Sequence, residues 1–267
     1  STVVEFTEAP QKKASFSPHL GPSTFVTLQQ TTINNQHTAK IQSGYSEVDR
    51  VLGGGFHKDA VVLISGEPGV GKSTLLLSIL GKIGSKLGKT VYVSSEEEGS
   101  HIEHRAARLG VDTKAILFSS DKNIDGILGS LSSVISKEKI SLLIFDSLQG
   151  LYAEDCDGVP GSVSQQKAVL MKIVEFTKEQ HVISLVVGHI TKDGDIAGPK
   201  FLEHMVDCVL FFEGDKMTDI RILRSFKNRF GGTDEVGFFQ MKEEGLTEVS
   251  NPSEFFLDEN KNVPGKA

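Results

Sequence analysis

Eight consecutive residues, Gly66-Glu67-Pro68-Gly69-Val70-Gly71-Lys72-Ser73, have the types and spacing that wrap a chain around phosphate. The glycines let the backbone close on an anion, and Lys72 can reach β- and γ-phosphates. The Ser73 hydroxyl can hold Mg2+, and Thr74 opens the helix whose N-terminus would face the phosphates. A second acid follows in Leu142-Leu143-Ile144-Phe145-Asp146, where an apolar strand ending in Asp puts a carboxylate beside the metal. Hydrolysis also needs a group that orients or deprotonates water. Glu96, Glu97 and Glu98 directly follow the apolar stretch 91–95. Three adjacent acids alone read as a solvated loop, but this frame makes Glu96 the leading base and Glu97 an assistant or alternate. Glu98 reads as a surface acid. His189 and Thr191, followed by Lys192, end the stretch 182–188, where polar groups can sense a γ-phosphate.

These residues need a sheet edge to bring them together, and the apolar pattern supplies one. Runs at 60–64, 91–93, 115–118, 142–145 and 182–187 alternate with helix-period segments near 72–87, 99–109, 123–136 and 164–179. Continuous apolar strands between helices predict an α/β fold, a mostly parallel twisted sheet with helices on both faces. A short amphipathic helix at 46–52 is stopped by Gly53-Gly54-Gly55. After residue 205 only strand patterns remain, at 208–212, 220–226 and 235–241, which predicts an antiparallel extension.

Residues 1–40 are rich in Ser, Thr, Gln and Asn and carry Pro10, Pro18 and Pro22. Proline removes a backbone donor and restricts its predecessor, so this stretch reads as a linker or arm with one short strand near Phe25-Val26-Thr27-Leu28. One domain is expected over 41–250. The chain starts at Ser1 and ends at residues 262–267 without helix or strand pattern, so an excised piece is expected.

Composition bounds the function class. The 267 residues carry 28 basic and 35 acidic side chains, a formal net charge of −7, so a chain coated in positive charge for DNA is excluded while a local basic surface is not. No apolar run approaches the ~20 residues of a membrane span, and no basic-then-apolar leader pattern opens the chain. Cys156 and Cys208 lie far apart, which excludes a Cys-rich zinc module or disulfide scaffold and fits a reducing compartment.

Arg221, Arg224, Lys227 and Arg229 fall in a stretch without acids, and Lys227 and Arg229, two apart, project from one side of an extended chain. Such a pair suits a phosphate, including one bound by a neighbouring subunit. Lys227-Asn228-Arg229-Phe230-Gly231 resembles the signature of the RadA/Sms family of RecA-like ATPases. Asp49-Arg50-Val51-Leu52-Gly53-Gly54-Gly55, Pro160-Gly161-Ser162-Val163-Ser164-Gln165, Gly188-His189-Ile190-Thr191-Lys192 and Ile196-Ala197-Gly198-Pro199-Lys200 are similar to that family too, as is Leu202-Glu203-His204-Met205-Val206-Asp207.

The resemblance covers about residues 41–252. It implies a RecA-like P-loop ATPase core that hydrolyses ATP with Mg2+, binds single-stranded DNA and assembles as a ring, typically a hexamer. It implies a branch-migration helicase acting on recombination intermediates with the strand-exchange recombinase, in a bacterial-type cytoplasm at the nucleoid. Residues 151–165 and 191–200 would line the DNA channel through Lys192, Lys200, Ser162 and Ser164, and Lys227 and Arg229 would complete a neighbour's active site. Full-length members usually add an N-terminal zinc finger and a C-terminal Lon-protease-like domain, patterns this chain does not carry, and the resemblance implies that 251–267, from Asn251-Pro252-Ser253, is the junction to the second. The family more often has Gly, Ser and Gln where this chain has Ser95, Glu98 and His101, and the stretch 151–165 carries Glu154, Asp155 and Asp157. Two further readings fit the same motifs: a RecA-like ring that remodels or phosphorylates proteins, and a nucleotide-gated recombination mediator without motor activity.

Overall fold

The structure, a computed structural model, describes residues 40–189, 201–214, 219–249 and 251, the side chains of His189 and Phe201 excepted. The expected arm with its strand near Phe25–Leu28, and the stretch 252–267, lie outside the described residues.

The chain begins with β1 (Lys40–Ile41), α1 (Ser46–Val51) and β2 (Phe56–His57), followed by β3 (Val61–Gly66), α2 (Lys72–Leu87), β4 (Lys89–Ser94) and α3 (Gly99–Arg108). Then come β5 (Ile116–Ser119), α4 (Ile124–Ile135), β6 (Ile140–Asp146), α5 (Val163–Gln180), β7 (Ile183–His189) and α6 (Phe201–Met205). The chain closes with β8 (Cys208–Gly214), β9 (Ile220–Asn228), β10 (Val236–Lys242) and β11 (Gly245–Glu248). Apart from the small β1–β2 ladder, the strands form one nine-stranded sheet in the order β11-β10-β9-β8-β3-β7-β6-β4-β5. Every residue of β3 and of β6 is buried. That is why both read as continuous apolar runs: helices cover the two faces of this parallel region. Alternation sorts the side chains between two cores. Val62, Ile64, Tyr92, Leu142 and Ile144 join α2 on one face. Val61, Leu63, Val93, Leu143 and Phe145 join α4 and α5 on the other.

One expectation is corrected. The strand beginning at Cys208 is not antiparallel; β8 pairs with β3 in parallel, Val62 opposite Cys208 through Gly66 opposite Phe212. The connection from His189 to Cys208 contains α6 and is long enough for a crossover, which a parallel neighbour requires. The antiparallel extension is therefore β9, β10 and β11. β11 was not expected; it is a four-residue strand returning from β10 after the turn at Glu243-Glu244. Among the described residues, no helix is long and apolar enough to cross a membrane.

Candidate active site

Parallel strands present their C-terminal ends on one edge, and the loops leaving that edge build the site. The phosphate loop leaves β3 there. Gly66 has no room for a side chain, since a Cβ would come within 2.2 Å of the Phe212 carbonyl oxygen. Gly71 caps α2 with φ 112°, a conformation open mainly to glycine. Lys72 is buried, and its Nζ donates to the carbonyls of Gly66 (2.7 Å) and Glu67 (2.9 Å). Burial pushes the Lys72 ammonium below its usual pKa, against the opposing pull of Asp146 and Glu96.

Asp146 ends β6 and is 8% exposed. Its Oδ2 accepts the Ser73 hydroxyl at 2.7 Å and the Tyr92 hydroxyl at 2.5 Å. Burial, then the Asp146 carboxylate, drives the Tyr92 phenol well above its usual pKa, so it is a donor at neutral pH. The three expected acids divide. Glu96 Oε1 accepts the Ser147 hydroxyl at 2.5 Å. Both oxygens of Glu97 accept from one guanidinium nitrogen of Arg105, at 2.8 and 2.9 Å. Glu98 is exposed at the start of α3.

A cleft of about 350 Å³ joins these groups, lined by Pro68, Gly69, Gly71, Lys72, Ser73, Thr74, Ser94, Glu96, Glu97, Arg105, Arg108 and Asp146. Its Ser73 hydroxyl and Asp146 carboxylate are adjacent hard oxygen donors, the kind Mg2+ selects, with room beside them for phosphates and water. The cleft thus brings together Gly69, Gly71, Lys72, Ser73, Thr74, Asp146, Glu96 and Glu97, all expected from the sequence. Tyr92, Arg105, Arg108 and Ser147 were not expected. Arg105 and Arg108 are three apart on α3, and Arg108 Nη1 donates to the Glu243 carbonyl at 3.1 Å.

The basic stretch 221–229 does not form one patch. At one end of β9, Arg221 Nε donates to the Val70 carbonyl at 3.0 Å, beside the chain's own phosphate loop. At the other end, Lys227 and Arg229 come together, on the sheet edge opposite that loop. Register puts Lys227 beside Val209 and the loop's Gly66 beside Phe212, about 10 Å further along β8. Lys227 Nζ donates to the carbonyls of Glu203 (2.7 Å) and Val206 (2.8 Å), where α6 ends. Arg229 Nη1 donates to Asp207 Oδ1 at 3.0 Å. Burial and then Arg229 hold the Lys227 pKa below its usual value. Asp207, 4% exposed, also accepts from the Val61 amide (3.0 Å) and Lys178 Nζ (2.7 Å).

Ser162 caps α5 by accepting the Gln165 amide, and Ser164 Oγ donates to the Asp157 carbonyl at 3.1 Å. Both order the loop that follows β6, as does Gln165, which bonds Ala153 through both its N–H and C=O. His189 ends β7 in register with Gly66. Its side chain, and Thr191, Lys192 and Lys200, lie outside the described residues.

Comparison with known proteins adds to this geometry. Residues 41–245 match the family model described as "ATPase: KaiC". The chain is 46% identical over 230 residues to DNA repair protein RadA of Brucella abortus, a match spanning 85% of this chain and 49% of the relative. It is 48% identical over 223 residues to that of Aquifex aeolicus, spanning 84% and 49%. Against that of Bacillus subtilis it is 43% identical over 229 residues, spanning 86% and 49%. The chain therefore spans about half the length of these relatives. A KaiC-like protein from Pyrococcus horikoshii shares the fold, with TM-score 0.66, 20% identity and coverage of 79% of this chain and 99% of that one. With its phosphate loop after β3 and its acid at the end of β6, the chain carries the KaiC-type, RecA-like ATPase core of the RadA family.

Proposed function

We propose that this chain hydrolyses ATP with Mg2+ as a subunit of a ring, typically hexameric, that moves on single-stranded DNA in recombinational repair. The observation that carries the ring is the split of the basic stretch. Lys227 and Arg229 sit on the sheet edge opposite their own phosphate loop, so a nucleotide phosphate that they meet would be one held by another copy.

In this reading the loop amides, Lys72 and the N-terminus of α2 hold the phosphates. Ser73 and Asp146 would hold Mg2+, which when bound would supply positive charge to offset that of the phosphates. Glu96, oriented by Ser147, accepts the proton of the attacking water. Glu97 is fixed by Arg105 and supports the site. Lys227 and Arg229 of the neighbouring copy stabilise the charge that develops on the γ-phosphate. His189 and Thr191 would report its presence. Single-stranded DNA would run along the loops 151–165 and 191–200, contacted by Lys192, Lys200, Ser162 and Ser164. The similarity to chains named DNA repair protein RadA supports a role in DNA repair, and the finer reading proposed with it is a branch-migration helicase partnered with the strand-exchange recombinase in a bacterial cytoplasm.

Steady-state hydrolysis tests the reading. Single-stranded DNA should accelerate Mg2+-dependent ATP hydrolysis, rising salt should erase the acceleration as counterions compete, and Lys72→Ala should abolish turnover. A rate indifferent to DNA at low salt contradicts the DNA role. Transfer of the γ-phosphoryl group to protein would favour a ring acting on proteins.

A further inference from the structure

Tyr92 is an unusual residue for its place. It lies in the middle of β4, is 0% exposed, and belongs to the apolar core that includes Leu75, Leu76 and Ile144. A phenylalanine would fill that space without a hydroxyl to satisfy, and a buried hydroxyl is costly unless it is hydrogen-bonded. The Tyr92 hydroxyl is bonded, and its partner is Asp146. Strand register explains the reach. Tyr92 is opposite Ile144, and Ser94 is opposite Asp146, so Tyr92 shares a sheet face with Asp146 but starts one side-chain pair earlier. A tyrosine ring spans the two residue rises, about 6.6 Å, that separate them; a serine or threonine at position 92 would fall short.

Asp146 Oδ2 therefore has two donors from different elements, Ser73 at the start of α2 and Tyr92 on β4. Ser73 lies in the first turn of α2 at the cleft, and its oxygen is itself a metal ligand in the reading above. Tyr92 belongs to the core and takes no part in nucleotide contact. We infer that Tyr92 is a positioning residue for the metal: its hydroxyl fixes the rotation of the Asp146 carboxylate and so sets the affinity of the nucleotide site for Mg2+. Mg2+ demands near-ideal octahedral geometry, so it is sensitive to a carboxylate that is free to turn. Partners one shell out from a metal typically change its affinity 10- to 100-fold. The inference rests on the Mg2+–nucleotide reading of the cleft.

Equilibrium binding of a fluorescent ADP tests it without turnover, on the full chain. The affinity is measured in EDTA and then as Mg2+ is added. Tyr92→Phe, which keeps the ring and leaves no cavity, should raise the Mg2+ concentration at half-effect by about 10-fold. It should leave the affinity in EDTA unchanged. In an Asp146→Asn background the same substitution should change nothing further, because the carboxylate it orients is gone. An unchanged Mg2+ half-point in Tyr92→Phe overturns the inference. So does an equal loss of affinity with and without Mg2+, which would make Tyr92 a packing residue under the phosphate loop. If the unsubstituted chain shows no Mg2+ effect at all, the reading of the cleft falls and the inference with it.

Discussion

Glu96 and Glu97 are adjacent in the chain and unlike in their surroundings. Glu97 is clamped by a guanidinium, while Glu96 is exposed in the cleft and bonded to a neutral hydroxyl. Proton transfer needs a carboxylate that can reach the water, and turning Glu97 toward it would break its ion pair with Arg105, so the two should differ in mutation. Glu96→Gln should lower the hydrolysis rate by about 10²- to 10⁴-fold with nucleotide affinity retained. Glu97→Gln should lower it far less, as read by rapid-quench and equilibrium binding; equal losses would remove the distinction. The residues proposed to meet phosphate or metal were legible in the sequence because an anion would dictate their spacing, as from Gly66 to Ser73. Tyr92, Ser147 and Arg105 were not, because each acts through a neighbour that only folding supplies. In sequence, Tyr92 is an aromatic in an apolar strand and Arg105 a charge on an amphipathic helix.

At the scale of elements, continuous apolar runs located the strands of the parallel region most plainly at β3 and β6, where burial on both faces leaves no alternation to misread. The direction of β8 was less legible, since strand patterns carry no arrow and α6 is only five residues long. That direction matters: it sends β9 back across the sheet and separates Arg221 from Lys227 and Arg229. Asp207 secures the far end. Its carboxylate joins β3, α5 and the residue after β9 through Val61, Lys178 and Arg229. Asp207→Ala leaves the buried Val61 amide without its side-chain acceptor, and thermal or urea unfolding should show a loss of about 1–3 kcal/mol. It should also release Arg229. Asp207→Asn keeps an acceptor for the amide and should cost less stability, so a variant that matched the alanine would argue that the ion pairs, not the amide, secure this end.

For the whole molecule, the net charge of −7 is an average that hides its distribution. In the loop after β6, Glu154 accepts from Asn123 at 2.6 Å and Asp155 pairs with Lys172 at 2.9 Å, so two of its acids are drawn toward α4 and α5. The positive charge that matters is divided between two sheet edges, one beside the chain's own phosphate loop and one facing away. In the proposed reading, head-to-tail copies would bring the second edge of one chain to the phosphate loop of the next. The most direct test mixes two inactive variants. Lys72→Ala should lose nucleotide binding or turnover in its own site, and Arg229→Ala should bind nucleotide but not turn over. Mixed in equal amounts and allowed to exchange, they should recover up to about one quarter of the wild-type ATPase, because random assembly pairs an intact loop with an intact Arg229 at that fraction of interfaces. No recovery in mixtures shown to co-assemble, or a loss of nucleotide binding in Arg229→Ala equal to that in Lys72→Ala, would place Arg229 in its own subunit's chemistry and contradict the account.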